Sequence, residues 1–120
     1  MLMNQRNGSG NKVRMLQERR REIDRLDAEL IRLLNSRAKI ACELGVIKVA
    51  VGLPAYDARR EREVLARIRA QSSGPLEPAG LTRIFRRIIL ETRRIGKWSM
   101  QQERDRYRHT GAGKGNFNGN

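Results

Sequence analysis

Between Val13 and Ala50 the chain has no proline and one glycine, Gly45, while apolar residues recur at Ile23, Leu26, Leu30, Leu33, Leu34, Ala41, Leu44 and Ile47. Steps of three and four place side chains on one face of an α-helix. The pattern predicts a helix over 13–50, broken by Gly52, Leu53 and Pro54. A helix of roughly 38 residues would be ~57 Å long, beyond what one small domain usually covers, so its apolar face is expected to meet a second copy of the chain. Asp57 then reads as an N-cap, and Glu61, Val64, Leu65 and Ile68 form a shorter stripe that ends before Ser72, Ser73, Gly74 and Pro75. A third stripe starts near Leu81 and runs through Ile84, Phe85, Ile88, Ile89, Thr92 and Ile95 to Trp98 or somewhat beyond. The predicted order is long, short, medium. Residues 1–12 carry Asn, Gly and Ser without periodicity and are expected to be disordered. The predicted domain is therefore 13–98, followed by a basic tail over 99–120 whose end is rich in Gly and Asn and is likewise expected to be disordered.

Composition agrees with helices and narrows the partners. Hydrophobic residues make up 38% of the 120, aromatics 4% and charged residues 32%, a balance that suits long amphipathic helices and an all-α fold. A chain this short buries a deep core only if two copies pool their apolar faces, which again points to a homodimer. No apolar run approaches the ~20 residues that cross a bilayer, and Met1 to Gly10 has no signal-peptide core, so no membrane partner and a cytoplasmic location are expected. Cys42 is the single cysteine and reads as a small core residue; no metal site and no cofactor are expected.

The formal net charge of +13 admits two partner classes, a polyanion such as nucleic acid or a small anionic ligand. Arg93, Arg94, Lys97, Arg104, Arg106, Arg108 and Lys114 read as a solvated face and tail. The aromatics Tyr56, Phe85, Trp98, Tyr107 and Phe117 do not interleave with arginines as a base-stacking platform requires, which disfavours nucleic acid.

The informative anomaly lies inside the stripes. Stepping from Ile23 by sevens, threes and fours gives Leu30, Arg37, Ala41, Leu44 and Lys48, so two cations sit where apolar side chains are called for, about three turns apart on one face. Burying an unpaired charge costs several kcal/mol, so such positions hold an internal ion pair, a snorkelling stem, or a ligand of opposite charge. Glu61 falls on the apolar face of the second helix, where it could pair with Arg37 or Lys48 or serve a ligand. Arg60 could reach the same space or be solvated, and Thr92 could return its hydroxyl to the backbone or contact a ligand. Arg20, seventeen residues before Arg37, faces roughly a quarter turn away; in an antiparallel dimer it could reach the middle of the other copy.

These residues in this order resemble the all-helical chorismate mutases, the AroQ type. The resemblance covers about Arg20 to Ile95. It rests on Arg20, the run Leu26, Asp27, Leu30, Ile31, Leu33 and Leu34, on Arg37, Lys48 and Pro54, on Asp57, Arg60, Glu61 and Arg62, and on Ile84, Phe85, Ile88 and Ile89. It implies an intertwined homodimer of three-helix subunits with two equivalent sites that convert chorismate, a small dianion, to prephenate. Arg37 would hold one substrate carboxylate and Arg20 of the other subunit the second. Lys48 would donate to a carboxylate and to the ether oxygen, Glu61 and the backbone near Asp57 would take the ring hydroxyl, and Arg60 and Thr92 would support the carboxylates.

A [3,3] rearrangement needs a held conformer and stabilised charge rather than a nucleophile, metal or cofactor. That suits a chain whose one histidine, His109, lies in the polar tail and whose serines lie beside no candidate base. One position departs from the family. One turn after Thr92, where a glutamine or glutamate usually helps to bind the ether oxygen, stands Gly96. A lost transition-state donor costs about 2.7–4 kcal/mol. The departure leaves room for a sister enzyme acting on isochorismate or 4-amino-4-deoxychorismate, for a non-catalytic metabolite-binding module, and for a basic helical adaptor.

Overall fold

The computed structural model describes the backbone of residues 2–118 and the side chains of residues 8–110. The fold is all-α: α1 spans Leu2–Val51, α2 spans Ala58–Gln71 and α3 spans Pro78–Asn118, with no strand among the described residues. Both long helices outrun the stripes that predict them. An apolar stripe reports which face is buried rather than where a helix ends, and no proline interrupts the backbone between Leu2 and Val51 or between Ala79 and Asn118. Segments 2–12 and 110–118 are helical where disorder is expected from composition, and α3 carries well past Trp98. Met1, Gly119 and Asn120, also expected to be disordered, lie outside the described residues. None of the described helices is long and apolar enough to cross a membrane.

Two compact units divide the chain, Met1–Asn35 and Ser36–Asn120. The first carries only α1 sequence. Its apolar residues Ile23, Leu26, Leu30 and Leu33 are all exposed, and its charged residues pair along the helix, Arg19 with Glu22 and Arg32 with Glu29. Such exposed i,i+3 pairs contribute a few tenths of a kcal/mol each.

The second unit holds the end of α1 together with α2 and α3. α1 stops in a Schellman turn: Leu53 N donates to Lys48 O at 2.8 Å and Gly52 N to Val49 O at 3.3 Å, with Gly52 at φ +73°. Only glycine adopts that left-handed backbone without a side-chain penalty, which is why the break falls there. Asp57 opens α2 as its N-cap, accepting from Arg60 N at 3.0 Å. α2 packs along α3, placing half-buried Val64, Leu65 and Ile68 toward a helix whose apolar stripe carries Phe85, Ile88 and buried Ile89. Thr82, buried at the start of α3, donates to Pro78 O and accepts from Arg69 Nε.

The end of α1 crosses α3 at close range. Ser99 Oγ donates to Cys42 O at 3.1 Å, and Met100 is 1% exposed. Gly45 is buried there, and a Cβ on it would stand 2.7 Å from Gly96 O and 3.1 Å from Met100 Cγ. Small residues at the contact let the two backbones approach, and the approach fixes where Arg37 and Lys48 on α1 face Thr92 on α3.

Candidate active site

Six of the seven site residues expected from the sequence, Arg37, Lys48, Asp57, Arg60, Glu61 and Thr92, line one cavity of about 290 Å³ in the second unit. That volume is at the lower end of ligand pockets, which run about 300–1,000 Å³. Arg20 lies in the first unit, exposed on α1.

Each of these side chains is placed by a local device. Lys48 sits in the last turn of α1, where the helix dipole favours a cation, and its Nζ donates to Ala55 O at 3.1 Å. Arg37, eleven residues earlier, donates through Nη1 to Thr92 Oγ1. The Thr92 hydroxyl donates in turn to Ile88 O at 2.8 Å and is buried, so it serves both as a core hydroxyl and as a prop for Arg37. Asp57 has its Oδ1 engaged in capping α2, whereas Glu61 lies one turn further on.

Neither Arg37 nor Lys48 meets a carboxylate within 4 Å among the described residues. Burial, and then repulsion from Arg60, lowers the pKa of Arg37 below the usual arginine value. A guanidinium remains protonated near neutral pH despite that, so the charge persists and calls for an anion. Arg60 is exposed, flanks the cavity and lies 3.8 Å from Glu63, so it is at once solvated and within reach of the site.

The structure corrects the reading of Arg93 and closes an alternative left open for Glu61. Glu61 pairs with neither Arg37 nor Lys48; its Oε1 accepts from Arg93 Nη1 at 2.9 Å. Arg93, read as part of a solvated face, is half-buried and lines the cavity, with its guanidinium carbon 4.8 Å from the centre of the Tyr56 ring. Lys97, read in the same way, is exposed as that reading expects, and it also borders the cavity. The available signal was Glu61 itself, a carboxylate on an apolar face that needed a cation from a facing helix. In all, five cationic side chains border the cavity, Arg37, Lys48, Arg60, Arg93 and Lys97, against the carboxylates Asp57 and Glu61. The surplus of positive charge suits a small polyanion.

Gly96 also borders the cavity, and a Cβ added there would meet Ala41 O at 3.3 Å.

The family model for chorismate mutase type II matches residues 19–97 of the chain, well over half of its length. The chain belongs to the chorismate mutase type II family. Among curated chorismate mutase relatives, a bifunctional chorismate mutase/prephenate dehydratase of Aquifex aeolicus is 42% identical over 78 residues, 62% of this chain and 22% of that protein. A second, from Neisseria gonorrhoeae, is 40% identical over 72 residues, 60% of this chain and 19% of that protein. The chain thus spans about a fifth of the length of these two proteins. Two solved structures of a Thermus thermophilus chorismate mutase share the fold. Form II matches with a TM-score of 0.67 at 33% identity, covering 68% of this chain and 93% of that one. Form I matches with a TM-score of 0.63 at 35% identity, covering 64% and 96%. The matched span, 19–97, takes in all seven candidate site residues, Arg20 included, and Gly96.

Proposed function

We propose that this chain is a chorismate mutase, an isomerase that rearranges chorismate to prephenate in aromatic amino acid biosynthesis, acting in the cytoplasm. The observation that carries the reading is the pair Arg37 and Lys48, which face one metabolite-sized cavity and, among the described residues, bond only neutral partners, Thr92 Oγ1 and Ala55 O. In the rearrangement the ether carbon–oxygen bond breaks as a carbon–carbon bond forms, with no proton passed to the protein, so the site holds a conformer and stabilises charge on the ether oxygen. Arg37 holds one carboxylate. An ammonium has three donors, so Lys48 keeps two beyond its bond to Ala55 O for the other carboxylate and the ether oxygen. Glu61 and the backbone beside Asp57 take the ring hydroxyl, with Arg60 and Thr92 in support.

The second carboxylate also needs a fixed cation, and we assign it to the partner subunit's Arg20 in a homodimer. What supports the dimer is the exposed stripe Ile23, Leu26, Leu30 and Leu33 and a core in which the buried apolar side chains, among the described residues, are Ile89 and Met100. The domain that does this work is 13–98, with 99–118 as a basic helical extension.

Incubating the purified chain with chorismate and following its ultraviolet absorbance is the direct test. Enzyme-dependent loss with prephenate as product is expected; decay at the spontaneous rate overturns the reading. Gly96, which offers the cavity no donor, favours one second reading, a sister enzyme on isochorismate, and the same assay with that substrate, with release of pyruvate as the readout, separates the two.

A further inference from the structure

Arg93 has no role in the scheme above, yet it braces two walls of the cavity. It pairs with Glu61 across α2 and α3, both side chains being about one quarter exposed at 28% and 26%, and it stacks on Tyr56 in the connection between α1 and α2. The same pair also borders a second cavity, between Leu65 and Leu90, so it stands as a partition between two spaces. The connection is thereby held at adjacent residues, by Lys48 at the Ala55 carbonyl and by Arg93 at the Tyr56 ring, directly before the cap residue Asp57.

The electrostatic consequence concerns Glu61. A glutamate has three side-chain torsions, and one left unpaired in a cavity beside Arg37 and Lys48 would swing to those cations, because neither has a carboxylate within 4 Å among the described residues and Asp57, the other carboxylate at the cavity, is engaged in capping α2. It would then occupy the charges that a dianionic substrate needs. We infer that Arg93 is a positioning residue that holds the Glu61 carboxylate away from Arg37 and Lys48 and so keeps the substrate-binding cations vacant. This rests on the chorismate mutase reading for the identity of the substrate.

The test compares wild type, Arg93→Met, Arg93→Lys, Glu61→Gln and the double variant Glu61→Gln/Arg93→Met, with far-ultraviolet circular dichroism and melting temperature as controls for folding. Losing a hydrogen bond between charged groups costs roughly 10- to 100-fold, and in Arg93→Met the loss is expected mainly in KM for chorismate, with kcat less affected. Arg93→Lys, which retains a cation for Glu61, is expected to recover most of it. The distinguishing result is the double variant. A neutral glutamine cannot quench the cations, so Glu61→Gln is expected to lower the KM of Arg93→Met, a rescue that a merely structural role for Arg93 would not produce. An unchanged KM in Arg93→Met, a double variant with a KM as high as the single one, or Arg93→Lys behaving like Arg93→Met would each overturn the inference. If wild type gives no turnover, the proposed activity fails separately, and calorimetric binding of prephenate to the same proteins decides the role of Arg93 by the same pattern. If wild type binds no prephenate either, both readings fall.

Discussion

Arg37 and Lys48 lie on the same face of α1, half-buried, each hydrogen-bonded to an uncharged oxygen, so each presents a nearly uncompensated charge to the cavity. In the proposed function, truncating either to alanine removes a donor for a transition state with a charged ether oxygen and two carboxylates. A loss of about 2.7–4 kcal/mol, a hundredfold or more in kcat/KM, is therefore expected, with helicity intact by circular dichroism. Rates within a few fold of wild type would contradict the assigned roles. Stability should move the other way, because burial and the like charge of Arg60 already disfavour the charged Arg37 in the folded chain. Arg37→Met, with a similar stem and no charge, is expected to leave the melting temperature unchanged or raise it; a drop of several degrees would show that Arg37 is a structural cross-link. These two cations are legible in the sequence because they interrupt an apolar period. Arg93 is not, since periodicity treats each helix alone and its partners Glu61 and Tyr56 lie on other elements.

Between elements, the crossing of α1 and α3 governs how far Arg37 and Lys48 stand from Thr92. Gly45 meets the carbonyl of Gly96, part of a helix backbone that cannot swing aside. A Cβ at 2.7 Å forces the helices apart, so Gly45→Ala is expected to cost about 1–3 kcal/mol, read as a lower melting temperature. Gly96 is a milder case, with a Cβ at 3.3 Å from Ala41 O that requires a shift of a few tenths of an ångström. Sequence reasoning alone would recommend a glutamine at 96 to supply the usual donor. The structure argues otherwise: the side chain must enter at the crossing, and widening it stretches the Arg37–Thr92 hydrogen bond that spans the same two helices. Gly96→Gln is expected to lower the melting temperature by less than Gly45→Ala and to bring no gain in kcat. A faster enzyme at undiminished stability would mean that α1 retreats freely. The order of the helices, the break at Gly52 and the cap at Asp57 could all be read from the sequence, because turn chemistry is local. The Gly45–Gly96 contact could not, because a glycine in a helix gives no sign of which backbone approaches it. The helix ends also escaped, since the polar flanks carry no stripe to mark them.

At the scale of the whole molecule, a chain with so few buried apolar side chains among the described residues and an open stripe at Ile23, Leu26, Leu30 and Leu33 gains stability by covering that stripe, and a second copy offers a matching one. Sedimentation or light scattering at micromolar concentration is expected to report a dimer whose melting temperature rises with concentration. The more specific claim is that each site draws Arg37 from one subunit and Arg20 from the other, and it can be tested with two dead variants. Arg20→Ala and Arg37→Ala homodimers each lack one cation at both sites. In a heterodimer of the two, one site combines the intact Arg37 of the first variant with the intact Arg20 of the second, whereas the other site lacks both. Random reassociation of equal amounts makes half the dimers mixed, so unfolding the two together and refolding them should restore about a quarter of wild-type activity. Mixing without unfolding should restore little if the subunits are intertwined, because exchange then requires much of the fold to open. If the refolded mixture stays as inactive as its components, the two arginines serve the same site within one chain, or Arg20 serves none, and the shared-site dimer is wrong.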